Sequence, residues 1–342
     1  MNEKLISYIE NSFIGTLLKD SDITDVSYNG VSFFYVHNEK GRLKADIKVS
    51  NEEVLNFIRQ IANFSEKQFS YTIPTLDVSI GKYRLNAVHP SIVRVENDKA
   101  CSFALRIGSK QNRIIPNSEF INEECEKYLV SCLEKEKSIM IAGPTGSGKT
   151  ELQKYLLSKL KKNSRVIVID NVQELENLRQ LEDLDLTSWQ VTPNNQNATM
   201  EELIRNALRS NPDWLVVAEA RGKEMSEVLT SVMTGHPIIS TVHAYSLEAI
   251  PKRVCRMIMK ADPSEKYEYI FDDVFEHINI YVFLNRKFDS DGKVHRYIES
   301  IGELQKDGSM KSIYRKKNNE KTWYYFCDFR YFSRNFVLFF NK

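Results

Sequence analysis

The segment that most constrains this chain is 143–150, which reads GPTGSGKT. It follows the apolar run 139–142 (IMIA) and precedes a stretch of helical composition, so a strand comes before it and a helix after it. Its three glycines allow the backbone to wrap closely around an anion, and the positive end of the following helix faces the same point. The pattern predicts a phosphate-binding loop, and a glycine-rich turn without a ligand is the alternative.

The side chains and backbone of this loop have different predicted roles. Lys149 is expected to bridge the β- and γ-phosphates of ATP, and Thr150 is expected to ligate Mg²⁺. The other predicted nucleotide contacts are Gly143, Pro144, Thr145, Gly146, Ser147 and Gly148. The predicted cofactors are therefore ATP and Mg²⁺.

A polar segment at 108–117, which we interpret as a linker, separates two kinds of pattern. Before it, residues 1–107 combine a helix-like periodicity at 4–18 with short strand-like runs, and Asn29-Gly30 is typical of a hairpin turn. Further strands are predicted at 76–80, 82–88 and 101–107. Together these features predict a small α+β domain with an antiparallel sheet.

Residues 118–308 alternate between apolar strand-like runs and amphipathic helices. The predicted strands are 138–142, 165–170, 214–218 and 238–242. The predicted helices are 118–135, 149–161, 199–210, 223–234 and 246–260. This alternation predicts an α/β domain with a mostly parallel sheet, whose ligands lie beyond the carboxyl ends of its strands.

The C-terminal segment 309–342 is basic and rich in aromatic residues. It contains eight Lys or Arg against two Asp or Glu, although the whole chain has a net charge of only +1. This composition suits contact with an anionic lipid surface, with single-stranded nucleic acid or with a membrane protein partner. The alternatives are an additional pair of strands that buries its aromatic residues, and an atypical C-terminus without such a role.

Two of the predicted strands end in acidic residues, as a site for ATP and Mg²⁺ requires. Asp170 ends one strand, with Glu174 just beyond, and Glu219 ends another, followed by Arg221. His243 ends a third strand and is a candidate phosphate sensor, because a neutral imidazole can donate to one partner and accept from another. Helix capping and exposed loop positions are the alternative roles for these side chains.

The segments GPTGSGKT, VIDNVQEL, LRSNPDWLVVAEARGKE and MTGHPIISTVHA together resemble a known family. In order and spacing they are similar to the Walker A, acidic box, Walker B and histidine box of the type II/type IV secretion traffic ATPases. The resemblance implies a RecA-like P-loop NTPase domain preceded by a smaller α+β N-terminal domain. The segment STVHA, with no four-cysteine module, is most similar to the CpaF-like and conjugative VirB-type branch.

The resemblance also implies roles for individual residues. Glu219 matches the Walker B glutamate that polarises the attacking water, and Glu174 matches the acidic-box residue that assists the metal together with Asp170. Arg84 and Arg106, in YRLNAVHP and SFALRIG, match N-terminal arginines that reach over the nucleotide.

His243 matches the histidine-box residue. Arg221, Arg209 and Arg205 are candidates for a subunit boundary, with Arg205 ranked last of the three.

The family further implies a ring, usually a hexamer, in which segment 108–117 acts as a hinge. Such a ring would work in the cytoplasm on an inner-membrane platform or secretion channel, moving pilins, proteins or DNA–protein substrates. Two departures, Ala218 before Glu219 and Asn171 after Asp170, leave open a nucleotide-binding scaffold with little turnover. A DNA translocase is disfavoured, because the near-neutral chain provides no obvious basic channel.

Overall fold

The computed structural model contains two large β-sheets, each with its own helices, and a separate two-stranded hairpin. The described residues are 2–108, 113–171, 175, 181, 183–192, 195–278, 280–290 and 292–316. Among the helices of these residues, none combines the length and apolar character needed to cross a membrane.

The N-terminal domain contains a six-stranded antiparallel sheet in the order β3-β2-β1-β8-β5-β4, beside a separate two-stranded hairpin. Its helices are α1 (Asn2–Glu10), α2 (Gly15–Leu18) and α3 (Asn51–Phe64). The strands of the sheet are β1 (Ile23–Tyr28), β2 (Phe33–His37), β3 (Gly41–Ala45), β4 (Thr75–Ile80), β5 (Tyr83–Val88) and β8 (Ser102–Ile107). The strands of the hairpin are β6 (Arg94–Val95) and β7 (Asp98–Lys99).

One face of this sheet forms the N-terminal core. Strand β4 alternates between exposed and buried residues, as expected when only one face is covered. Val26, Leu85 and Leu105 from the sheet pack with Ile58 of α3 in one apolar cluster. The other face of the sheet therefore remains available for polar and charged side chains.

The periodicity at 4–18 predicts one helix, but the structure contains two. Helix α1 ends at Glu10, where the side chains of Asn11 and Ser12 hydrogen-bond the carbonyls of Ser7 and Ile9. Short polar side chains compete in this way with helix propagation. The apolar spacing is still satisfied, because both halves pack on the same core.

The C-terminal domain contains an eight-stranded sheet in the order β11-β10-β12-β13-β9-β14-β15-β16. Its strands are β9 (Ile139–Ala142), β10 (Arg165–Asp170), β11 (Asp185–Gln190), β12 (Trp214–Val217), β13 (Ile238–Val242), β14 (Ile280–Phe288), β15 (Val294–Leu304) and β16 (Met310–Arg315). Its helices are α4 (Glu123–Glu134), α5 (Lys149–Leu157), α6 (Met200–Leu208), α7 (Met225–Met233), α8 (Ala249–Ile258) and α9 (Tyr267–His277).

The six strands from β11 to β14 are parallel, and only the last two pairings are antiparallel. Helices cover both faces of the sheet. In β12, Leu215 and Val217 pack towards α6, α7 and α8, whereas Trp214 and Val216 pack towards α4 and α5. This layered α/β arrangement behind a smaller antiparallel domain confirms the predicted fold class.

The last strands differ from the sequence prediction. Residue 309 was expected to begin a separate tail, but Met310–Arg315 pairs with β15 and continues the sheet. Ile313 and Tyr314 are partly buried against the core, which explains why this short segment adds to the sheet. The predictions for the remainder of the tail concern 317–342, which lies outside the described residues.

Candidate active site

The predicted site residues gather at one edge of the C-terminal sheet. The neighbouring parallel strands β10, β12, β13 and β9 all present their carboxyl ends there. Asp170 ends β10, Glu219 follows β12, His243 follows β13 and Gly143 follows β9. The sequence positions are far apart, so the sheet order brings these residues together.

The loop after β9 has the backbone of a phosphate cradle. Gly143, Gly146 and Gly148 have φ values of 154°, 75° and 98°, a region in which residues other than glycine are strained. A β-carbon on Gly143 would also clash with the carbonyl oxygen of Leu284. The glycines are therefore required by the loop conformation and by its close packing against β14.

Hydrogen-bond donors line this loop, and one of them is unused. The buried hydroxyl of Ser147 forms no hydrogen bond with any described group. The amine of Lys149 donates to the loop's own carbonyls, at 2.9 Å for Gly143 and 3.2 Å for Pro144. Thr150 lies in the first turn of α5, next to these donors. An unpaired hydroxyl, an ammonium and a helix N-terminus in one loop fit a polyphosphate with its metal ion.

Burial and neighbouring charge perturb Lys149. Its pKa is lowered to about 8. Burial is the largest cause, the charges of Arg106, Arg221 and Arg286 add to the lowering, and Glu219 opposes it. The ammonium is thus surrounded by more positive than negative charge. An anion bound beside it would stabilise its charged form.

His243 connects the loop to the acidic residue of the next strand. Its Nδ1 lies 3.4 Å from the amine of Lys149, and its Nε2 lies 2.9 Å from Oε1 of Glu219. The imidazole therefore stands between the group expected to hold phosphate and the group expected to activate water. The role of His243 as a phosphate sensor stays a prediction.

Glu219 lies between Arg221 on one side and His243 on the other. Its Oε2 accepts a hydrogen bond from Nη2 of Arg221 at 2.8 Å. Burial opposes ionisation of this carboxyl, but Arg221, His243 and Lys149 outweigh burial and leave its pKa below the ordinary value. Glu219 is therefore ionised at neutral pH, as a residue that polarises water must be.

The Mg²⁺ prediction is only partly covered by the described residues. Asp170 is buried at the end of β10, where it accepts a hydrogen bond from the N–H of Leu175 at 3.3 Å. Glu174, the other predicted acidic residue, lies outside the described part of the chain. The metal role of Asp170 and Glu174 therefore stays a prediction.

The two N-terminal arginines lie side by side. Arg84 of β5 and Arg106 of β8 are cross-strand partners, and Asp25 of β1 pairs with Arg106 from the other side. The charge of Arg106 reaches Lys149. The structure thus brings Arg106 towards the loop, with Arg84 as its neighbour on the sheet.

The candidates for a subunit boundary have different surroundings. Arg205 pairs with Glu202 and Glu227, in each case at 2.6 Å. Arg221 is directed to Glu219 of its own chain, and Arg209 is exposed at the end of α6. Arg205 is thus paired within its own chain, and the subunit-boundary roles of the three arginines stay predictions.

Three further arginines near the loop were missed in the sequence. Arg296 donates from Nε to the carbonyl of Gly146 at 2.8 Å, and Arg286 lies beside the same glycine. Arg113 donates its backbone N–H to Glu151 of α5 at 3.1 Å. The only sequence signal for the first two was a strand pair at 280–304, which the pattern analysis did not assign.

A parallel sheet with a glycine-rich loop and acidic strand ends defines the chain as a P-loop nucleotide-binding protein. The chain belongs to the family described as Type II/IV secretion system protein, whose model matches residues 88–299. The match confirms the predicted membership of the type II/type IV secretion traffic ATPase superfamily.

Individual relatives agree with this assignment. An uncharacterized protein of Bacillus anthracis is 28% identical over 338 residues, which cover 93% of this chain and 75% of the relative. The type IV secretion system protein VirB11 of Bartonella henselae is 24% identical over 288 residues, covering 73% of this chain and 80% of VirB11. The VirB11 match supports the predicted placement near the VirB-type branch.

Solved structures support the fold. The X-ray structure of the Yersinia pseudotuberculosis ATPase DotB superimposes with a TM-score of 0.63. The two are 16% identical, and the match covers 87% of this chain and 80% of DotB. At this identity the similarity establishes a shared fold.

Proposed function

We propose that this chain is the ATPase of a secretion, conjugation or type IV pilus-like system. The observation that carries the proposal is the connected set Lys149, His243, Glu219 and Arg221 at the edge of the sheet. A phosphate-binding lysine, an ionised carboxylate and a histidine between them are the groups needed to cut a terminal phosphate with water. A P-loop used only for binding does not require the carboxylate.

Each group has a distinct task. The loop backbone and Lys149 hold the β- and γ-phosphates, while Glu219 accepts a hydrogen bond from the attacking water and orients it. His243 lies between Glu219 and Lys149 and fixes their positions relative to each other. Thr150, with Asp170 and Glu174, would hold Mg²⁺, which supplies charge neutralisation at the phosphates.

The N-terminal domain adds the mechanical part of the proposal. Arg106, with Arg84 beside it, approaches the terminal phosphate when ATP is bound, because a guanidinium is a permanently charged fork that suits phosphate oxygens. Residues 108–117, between proposed domains 1–107 and 118–308, act as the hinge. ATP favours one domain arrangement and its hydrolysis releases it, which is a population shift driven by differential contacts.

We propose a homo-hexameric ring in the cytoplasm, peripheral to the cell membrane through platform or channel proteins. The support is the resemblance to VirB11, a type IV secretion system protein, and to the ATPase DotB. Size measurement with and without a non-hydrolysable ATP analogue tests the ring. A monomer in both conditions would contradict it.

A second candidate is a nucleotide-binding scaffold with little turnover. Asn171 and Ala218 favour it, since both depart from the family pattern. However, Ala218 packs in the core, and its carbonyl accepts a hydrogen bond from the hydroxyl of Thr241 at 2.7 Å. Its methyl group is therefore accommodated without displacing Glu219 from the site.

Steady-state phosphate release discriminates between the two candidates. Glu219→Gln should lower turnover by about 10²–10⁴-fold while nucleotide still binds, because the amide cannot take up a proton from water. Lys149→Ala should abolish nucleotide binding. Glu52→Gln, an exposed position on α3, is the matched control and should leave turnover unchanged. Equal, slow turnover in wild type and Glu219→Gln would favour the scaffold.

A further inference from the structure

The tip of the phosphate-binding loop is surrounded by arginines from three parts of the chain. Arg106 comes from the N-terminal sheet, Arg113 precedes α4, and the cross-strand partners Arg286 and Arg296 come from the hairpin β14–β15. Burial lowers the pKa of Arg296 most, the charges of the other three lower it as well, and Asp25 opposes them. The four guanidinium groups are more than Asp25 alone can neutralise, so the loop tip is an electropositive place suited to an anion.

Arg296 holds the loop directly. Its Nε donates to the carbonyl of Gly146, 2.8 Å away, at the centre of the glycine segment. A hydrogen bond from a charged donor is stronger and more directional than one from a neutral donor. The hairpin β14–β15 is joined to the loop's own strand, since β14 pairs in parallel with β9. Arg296 thus ties the loop tip to a rigid neighbouring element.

Arg286 lies beside the same glycine and has no carboxylate partner among the residues that the structure describes. Its Nη1 is 2.8 Å from the place where a β-carbon on Gly146 would be. Its guanidinium packs over the ring of Phe288 at 5.3 Å, and it forms no ion pair with an acidic group of the described residues. Its charge also reaches Lys149. A charged fork placed in this way is prepared to bind phosphate oxygens.

We propose that the hairpin β14–β15 supplies the second half of the phosphate site. Arg286 is a direct ligand of the nucleotide phosphates, and Arg296 is a positioning residue that holds the loop through Gly146. The inference rests on the proposed nucleotide site, and it adds two residues to those that the sequence motifs indicate. The ligand class is a di- or triphosphate, recognised by charge and by forked hydrogen bonds.

The test measures dissociation constants for MgADP and for inorganic pyrophosphate by calorimetry. Arg286→Ala should weaken both by about tenfold or more, the size expected when one charged hydrogen-bonding group is lost. Arg286→Lys should recover part of the loss. Arg315→Ala is the matched control, because Arg315 lies in the same sheet and pairs with Glu248. The control should bind both probes as wild type does.

Arg296 needs a readout that separates positioning from general stability. Arg296→Ala should lower kcat by about tenfold or more and weaken binding, whereas Arg296→Lys, which keeps a charged donor, should restore most of kcat. The thermal midpoint of the nucleotide-free variants shows whether they fold. Loss of kcat in the alanine variant without rescue by lysine would overturn the positioning role.

The outcomes separate this inference from the proposed function. If wild type binds MgADP in a Lys149-dependent manner but Arg286→Ala binds within twofold of Arg315→Ala, the hairpin proposal is wrong and the nucleotide site stands. If wild type shows no Lys149-dependent binding, both fail. Weaker binding of both probes in folded Arg286→Ala, with the control unchanged, supports the hairpin as part of the phosphate site.

Discussion

The two large sheets of this protein differ in where their charged residues lie. In β5 of the N-terminal sheet, Leu85 is buried while its neighbours Arg84 and Asn86 are on the opposite face. In β12 of the C-terminal sheet, all four residues are buried, because helices cover both faces. A sheet that is covered on both faces leaves only its strand ends for polar side chains. A sheet that is covered on one face leaves the whole of its other face for them.

This difference has a mechanical meaning. Glu219 and His243 sit where strands leave the core, so their backbones are fixed by the most buried part of the molecule. Arg106 sits on the open face of the other sheet, so its distance from the loop depends on how the two domains are arranged. We therefore propose that the C-terminal site provides the chemistry and that the N-terminal face controls when this site is complete.

Removal of Arg106 tests whether the N-terminal face takes part in the chemistry. We expect Arg106→Ala to lower ATP turnover by about 10³-fold or more, the size seen when an arginine that stabilises transferring phosphate is lost. Binding of MgADP should change much less, because Lys149 and the loop remain. Phosphate release and equilibrium binding measure the two effects.

Arg42→Ala provides the control for this change, since Arg42 is an exposed arginine of β3 in the same sheet. Its turnover should equal that of wild type. If Arg106→Ala also retained full turnover, the N-terminal face would have no role in the chemistry. The proposed distinction between the fixed groups at the C-terminal strand ends and the movable Arg106 would then be wrong.

The next prediction tests the packing rule itself. Leu215→Ala and Val216→Ala are adjacent in β12, and both should destabilise the C-terminal domain, the former by about 2–5 kcal/mol. In β5, Leu85→Ala should cost a similar amount, but Asn86→Ala should stay within about 0.5 kcal/mol of wild type. Denaturant unfolding followed for each variant gives these free energies.

The pairwise design makes this result easy to interpret. If Val216→Ala left the free energy of unfolding unchanged, one face of the parallel sheet would be less well covered than its burial indicates. A strongly destabilising Asn86→Ala would show that the outer face of β5 is covered by a neighbouring element. Either result would remove the difference between the two sheets.

Much of the fold was predictable because the buried parallel strands are short apolar runs between turn signals. The strands at 165–170 and 238–242 were placed at their observed bounds. The segment after residue 260 was not assigned, since β14 and β15 contain polar and charged residues that interrupt the apolar pattern. Their pairing is set by contacts far apart in sequence, which periodicity does not encode.

The site shows the same limit. Lys149, Glu219 and His243 follow local motifs, so the sequence located them and the sheet order explains why they meet. Arg286 and Arg296 belong to no motif, and their relation to Gly146 exists only through the pairing of β14 with β9. Charged residues of this kind look like ordinary surface positions until the sheet is known.

The last prediction concerns the pH dependence of nucleotide binding, which should differ between lysine and arginine at the site. Burial lowers the pKa of Lys149 to about 8, whereas guanidinium groups in general stay charged at neutral and moderately alkaline pH. Phosphate binding requires the ammonium, so above pH 8 binding must take up a proton. We expect MgADP affinity to be nearly constant below pH 7.5 and to fall by up to about tenfold per pH unit above pH 8.

Calorimetry in buffers of different ionisation enthalpy detects this proton uptake directly. Lys149→Arg keeps a permanent charge at the same position, so whatever affinity it retains should not vary between pH 7 and 9.5. The control therefore separates titration of Lys149 from titration elsewhere. A wild-type affinity that stays flat to pH 9.5, without proton uptake, would show that Lys149 is charged before the nucleotide arrives. The crowding of positive charge around the loop would then be compensated by the protein itself, and the difference between a titrating lysine and the permanently charged arginines would disappear.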